Sequence, residues 1–146
     1  MHDIPLWTSS DFAAPLPRGP GADGSVMDSV FDIDVEWRAD HPIVAHVFGA
    51  IDLLTVPALR RCVDGNLDAE HGLVVDLSQV DFLAAAGLTV LTDAERRAVR
   101  DNRAWAVVAS TRPVLRPLEV LGLVERLPTY ETVPDAVAAV RAAVPG

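Results

Sequence analysis

The run Leu73-Val74-Val75-Asp76-Leu77 constrains the fold more than any other part of the chain. It is short, β-branched and almost wholly apolar, and it lacks the alternation of a strand with one wet face. Such a run predicts a strand buried on both sides. Ala104 to Ala109 is a second run of the same kind. Between the two, Leu88, Leu91, Ala94 and Ala98 recur at helical spacing. They predict a long helix from Gly87 to about Asn102, with Asp93, Glu95, Arg96, Arg97 and Arg100 on its outer face. Arginines near its end suit the negative pole of the helix. Two buried strands joined by a helix must pair in parallel through a right-handed crossover.

The flanking segments extend this unit. Phe31, Ile33, Val35 and Trp37 alternate with Asp32, Asp34, Glu36 and Arg38, the period of a strand with one wet face. That alternation accounts for the carboxylates without a metal. Ala39 to Pro42 reads as a turn, and Ile43 to Phe48 as a second strand, antiparallel to the first. His46 falls inside that run as a partly buried strand residue, with no second histidine at zinc spacing. Gly49-Ala50-Ile51-Asp52 ends the strand, and Thr55 offers a capping hydroxyl to a helix opening at Val56-Pro57. Val56, Leu59, Cys62 or Val63, and Leu67 form its inner face, which makes Cys62 a small core hydrophobe.

Ser78 to Asp81 is predicted as a loop that leads through Phe82-Leu83-Ala84-Ala85-Ala86 to Gly87. Ser110 to Pro113 opens a third helix, stopped by Gly122 as a left-handed cap. Leu127 to Tyr130 is a candidate short strand, and Thr132 to Asp135 opens a last helix that runs to about Ala143. The expected class is α/β: a small mixed sheet, with an antiparallel first hairpin and then parallel strands, packed with about four helices.

Residues 1–29 differ from the rest. Pro5, Pro15, Pro17 and Pro20 stand among Gly19, Gly21 and Gly24, and no period survives across them. They predict a flexible tail ahead of one domain over residues 30–146. Trp7 and Phe12 are its apolar exceptions, free either to stay solvated or to dock. Gly19 to Gly24 has the spacing G-x-G-x-x-G, but it neither follows a buried strand nor opens a helix, so it carries no dinucleotide site.

Charge and composition then narrow the function. All 12 basic residues are arginine, so Schiff-base chemistry and the Walker A lysine are excluded. A net charge of −9 argues against nucleic acid and anionic membranes as partners. Cys62 is the single cysteine, which rules out an intrachain disulfide or a cysteine zinc cluster and suits a reducing, cytoplasmic setting. The acidic, proline-containing start is unlike a signal peptide, and no run approaches membrane-spanning length. There is no G-x-S-x-G and no H-E-x-x-H, and His2, His41, His46 and His71 share no spacing. No catalytic residue, metal or cofactor is therefore expected. Convergence of Asp52 with Asp76 or Asp81 would be the sign of an enzyme.

The stretch Asp76-Leu77-Ser78-Gln79-Val80-Asp81-Phe82-Leu83-Ala84-Ala85-Ala86-Gly87-Leu88 resembles that of the STAS domain family, D-L-S-x-V-x-F-I-D-S-S-G-L-x-x-L. It matches at Asp76, Leu77, Ser78, Val80, Phe82, Gly87, Leu88 and Leu91. Gly49-Ala50-Ile51-Asp52 resembles the family's G-E-L-D, and Pro113 through Gly122 to Asp135 its C-terminal helices, so the likeness covers about Phe31 to Ala143. The resemblance implies a bacterial anti-sigma factor antagonist: a non-enzymatic module that binds an anti-sigma factor of the serine-kinase type and so regulates sigma-dependent transcription. The implied partner-binding residues are Asp52, Ala84, Ala85, Ala86, Gly87 and Leu88. A scaffold or sensor subunit of a stress-signalling or transport complex is the alternative, and a homodimer is compatible with either. In the family the first serine of D-S-S-G is phosphorylated by the kinase. Here Ala85 holds that position, Ala84 and Ala86 replace its neighbours and Ala50 replaces the glutamate. A methyl group accepts no phosphate, so the usual switch is absent at this place.

Overall fold

The computed structural model describes residues 30–144. The tail expected over residues 1–29, with Trp7, Phe12 and the glycine-rich spacing, lies outside the described residues. Nine elements follow in order: β1 (Asp32–Glu36), β2 (Ile43–Ile51), α1 (Val56–Asn66), β3 (Leu73–Leu83), α2 (Ala85–Asp101), β4 (Trp105–Val108), α3 (Arg112–Val120), β5 (Thr129–Tyr130) and α4 (Val133–Ala143). The strands lie side by side in chain order, β1 antiparallel to β2 and every later pair parallel. This is the mixed five-stranded sheet with four helices that the alternation of apolar runs required.

The doubly buried runs separate two cores. Leu73, Val75 and Leu77 of β3, with Trp105 and Val107 of β4, face a large cluster built by Leu59, Cys62 and Val63 of α1, Leu88, Leu91, Ala94 and Ala98 of α2, and Val114 and Leu118 of α3. Val44, Val74, Ala106 and Val108 face the other way, onto Ala136 and Val140 of α4. Each fully buried leucine or valine side chain contributes about 1.5–3 kcal/mol relative to exposure, so the central strands hold both layers to the sheet. Three helices cover one face and one helix the other. Part of the second face is left open over β1, β2 and the outer half of β3, where Asp34, His46 and Phe48 stand.

Four local expectations are corrected. Ser78 to Asp81 is strand, not loop: β3 continues to Leu83 beside β2. The register steps by one extra β3 residue between His46 and Phe48 and again between Gly49 and Ala50. These two bulges break the period of two by which a strand is recognised in sequence. Helix α2 begins at Ala85 instead of Gly87, with Ala84 extended at its N-cap. Trp37 lies past the end of β1 and is exposed, while Phe31, Ile33 and Val35 pack on the first core. Thr55 stands at the N-cap of α1, but its hydroxyl makes no capping bond; it donates instead to the Ala50 carbonyl at 2.8 Å.

Candidate functional site

The residues singled out in the sequence meet at the carboxyl ends of β2 and β3. The amide of Ala84 donates to the Ile51 carbonyl at 2.9 Å and joins the end of one strand to the end of the other. Gly87 sits directly behind this joint. A Cβ there would stand 2.7 Å from both Ile51 Cγ2 and Leu83 Cδ1, far inside contact distance, so the first turn of α2 approaches the sheet as closely as it does only with glycine. Leu88 is buried as well, in the core. Gly87 and Leu88 thus position the turn, and Ala84, Ala85 and Ala86 present it outward, Ala85 exposed and its two neighbours half-buried. No side chain caps the N-terminus of α2.

Asp52 lies across from this turn, at the end of β2. Its Oδ1 accepts the amides of Leu54 at 2.9 Å and Thr55 at 3.1 Å, while its own amide donates to Thr55 Oγ1 at 2.9 Å. Asp52 and Thr55 therefore close the β2–α1 turn upon themselves. The consequence falls on the two residues between them: Leu53 and Leu54 are 78% and 90% exposed. Phe82 is 52% exposed and pairs with Ala50, and Phe48 shares its open side of the sheet. Leu53, Leu54 and Phe48 were not singled out by sequence reasoning, and Phe82 was marked only as part of a recurring stretch, not as an exposed side chain. Two adjacent leucines in a turn were the available signal, because no single helix face or strand face can bury both.

Below this end, on the open face, His46 lies between two carboxylates. Its Nδ1 donates to Asp76 Oδ2 at 2.7 Å and its Nε2 to Glu36 Oε1 at 3.0 Å. Both ring nitrogens donate only in the imidazolium form. Burial works to lower the His46 pKa, but the hydrogen bonds to Glu36 and Asp76 outweigh it and raise the value above the usual histidine range. Glu36 is held below its ordinary value, first by the bond from His46. Asp76 is the one buried charged residue among those described, and its second oxygen accepts the Ser78 amide at 3.0 Å. Burial pushes the Cys62 thiol up to about 11, so it is an inert part of the core.

The arrangement suits binding better than reaction. Asp52 Oδ1 is engaged by the amides of its own turn, and the two oxygens of Asp76 by the Ser78 amide and His46. Among the described residues no group of three or more His, Cys, Asp or Glu could hold a metal ion, and no helix is long and apolar enough to cross a membrane. The end of the molecule that carries Ala84–Ala86 offers apolar side chains around an uncharged turn.

Comparison with known proteins agrees with this architecture. The STAS domain matches residues 32–136. The chain is 36% identical over 107 residues to the anti-sigma-F factor antagonist RsfB of Mycobacterium tuberculosis, a match covering 70% of this chain and 86% of that protein. It is similar in structure to an anti-sigma factor antagonist from Mycobacterium paratuberculosis, with a TM-score of 0.69 and 32% identity over 77% of this chain and 96% of the other. The phosphorylated form of the Bacillus cell fate determinant SpoIIAA shares the fold, with a TM-score of 0.58 and 14% identity over 75% and 99% of the two chains.

Proposed function

Since the chain belongs to the STAS domain family, we propose that it is an anti-sigma factor antagonist of the non-enzymatic kind, working in the cytoplasm. In this reading it binds an anti-sigma factor of the serine-kinase type and thereby frees a sigma factor for transcription. The observation that carries the reading is the set of exposed apolar side chains Leu53, Leu54 and Phe82 beside the uncharged turn Ala84–Ala86. A cluster of exposed large apolar side chains on an otherwise acidic surface marks a contact site for another protein. Partner-binding residues are Asp52, which shapes the leucine turn, and Ala84, Ala85 and Ala86, which present the other half. Gly87 and Leu88 hold that half in place.

The alanines define how such a module is regulated. A phosphoserine at position 85 would bring close to two negative charges into an apolar contact and abolish it, and the N-terminus of α2 would hold the phosphate in the free protein. With Ala85 the contact is constitutive at this position. The test is co-purification from the host with and without nucleotide, followed by sigma-dependent transcription after deletion of the gene. Recovery of an anti-sigma kinase with a histidine-kinase-like ATPase domain is the expected result. Absence of any such partner, together with unchanged transcription, overturns the reading. The variant Ala85→Ser, combined with Ala84→Asp, should gain a phosphate at residue 85 when incubated with that kinase and ATP. Mass spectrometry that finds wild type and variant modified alike elsewhere overturns the switch assignment.

A further inference from the structure

The first described residue, Val30, stands inside the exposed apolar end and is itself 64% exposed. Continued two residues outward, the register that sets Asp32 opposite Phe48 brings Val30 opposite Ala50, and Ala50 is paired on its other side with Phe82. The Val30 carbonyl rests against Gly49, whose φ is +92° and where a Cβ would overlap that carbonyl. Glycine at this position therefore seats the incoming chain against the outer end of β2. Val30, Phe48 and Phe82 form an apolar strip across three strands, and Leu53 and Leu54 lie just past the end of β2. Residues 1–29 lead into this strip.

We infer that residues 4–12 dock through Trp7 and Phe12 on the apolar surface of Phe48, Phe82, Leu53 and Leu54 of their own chain, as an intramolecular cover of the recognition end. The point of attachment favours this occupant over any other. Residues 13–29 reach up to about 60 Å when extended, against about 35 Å across a domain of this size, so Trp7 and Phe12 can return to the place where the segment joins the sheet. A tether also holds its end at an effective concentration on the order of millimolar, so a weak contact suffices. Charge points the same way. Between Ile4 and Phe12 only Asp11 is charged, and residues 83–88 carry no charge, so the two surfaces can meet without desolvating a row of ions. A second copy would instead set the exposed Asp32 and Asp81 of one chain against acids of another, each chain carrying a net charge of −9. Tryptophan and phenylalanine supply the area, since each buries about 150–250 Å². The docking is a property of the chain alone. That it competes with an anti-sigma factor rests on the function proposed above, and with no phosphate acceptor at Ala85 displacement of this segment is then the step that opens the site.

The experiment is paramagnetic NMR on the full-length protein. Ser9→Cys supplies a site for a nitroxide spin label between the two aromatic residues, and because Cys62 is buried with its thiol pushed up to about 11, the label attaches at residue 9 alone. The amides of residues 48–54 and 80–86 should broaden, and those of residues 97–102 at the far end of α2 should not. Trp7→Ser with Phe12→Ser, both outside the described domain, should abolish the broadening, and so should Leu53→Ser with Leu54→Ser on the receiving side. Broadening spread evenly over the domain, or unchanged in either double variant, overturns the inference. So does broadening that appears when spin-labelled protein is mixed with isotope-enriched protein bearing no spin label, because the contact is then between copies. With the anti-sigma factor in hand, Trp7→Ser with Phe12→Ser should tighten binding about tenfold, the gain expected if the cover is in place nine-tenths of the time. Unchanged affinity beside a positive paramagnetic result refutes the competition and leaves the docking. The spectra need no partner, so the docking and the search for an anti-sigma factor fail or succeed separately.

Discussion

The two ends of helix α2 are opposite in character. Its N-terminal end rises from a turn in which no residue from Leu83 to Leu88 is charged, beside Leu53, Leu54 and Phe82, all exposed. Its C-terminal end is bound by ion pairs. Arg97 reaches Asp68 at 2.9 Å and Asp64 at 3.6 Å, Arg103 reaches Asp68 at 3.3 Å, and Arg100 pairs with Asp101 at 3.0 Å. Exposed pairs of this kind contribute about 0–1 kcal/mol each, so the charged end is solvated more than it is locked. The exposed apolar side chains at the other end add little to the fold, because water still reaches them. The fold is paid for by the core between the two ends; what each end displays is left to solubility at one and to contact at the other.

Four changes would break or sharpen that contrast. The largest effect is expected from Gly87→Val, which drives a branched side chain into Ile51 and Leu83; urea denaturation should show a loss of about 1–3 kcal/mol, and an unchanged midpoint would mean that the turn is not tightly seated. Leu53→Ser with Leu54→Ser should weaken binding to the anti-sigma factor by about 30-fold, as loss of an apolar anchor does, while the stability stays within about 0.5 kcal/mol. Calorimetry that finds full affinity would remove the leucine turn from the interface. Arg97→Ala at the far end should cost at most about 1 kcal/mol in the same denaturation assay and leave the affinity untouched.

The smallest effect is the pH dependence of stability set by the Glu36–His46–Asp76 chain. His46 has a raised value in the folded protein, so its contribution is complete below the ordinary 6.5 and is lost as pH rises through the folded midpoint. Glu36 has a lowered value, so its contribution is complete above 4.5 and is lost as pH falls through its own folded midpoint. Thermal unfolding should therefore find this contribution greatest between about 4.5 and 6.5, and His46→Gln should flatten the curve on the alkaline side.

The same contrast separates what was legible in the sequence from what was not. Wherever burial is continuous or strictly periodic, as in Leu73–Leu77, Ala104–Ala109 and the inner face of α2, residue type alone located the element and its buried side. It failed at Ser78–Asp81, where two bulges desynchronise the alternation and a strand with one open face looks like a loop. Ala84–Ala86 could be picked out because they interrupt a recognisable order of residues, and Asp52 because it keeps to one. Leu53 and Leu54 could not, since an exposed leucine is written with the same letter as a buried one, and only the turn closed by Asp52 and Thr55 keeps them outside. The His46 contacts to Asp76, thirty residues away, and to Glu36 needed the register of three strands.

The single helix on the second face also sets the order in which this protein can be made. Val44, Val74, Ala106 and Val108 are synthesised well before Ala136 and Val140, which cover them. Since translation adds about 5–20 residues per second, the stretch of chain between Val108 and Ala136 takes on the order of seconds to be added. The last helix described is thus the cover of that apolar face, and truncations that stop short of residue 133 should collect in the insoluble fraction.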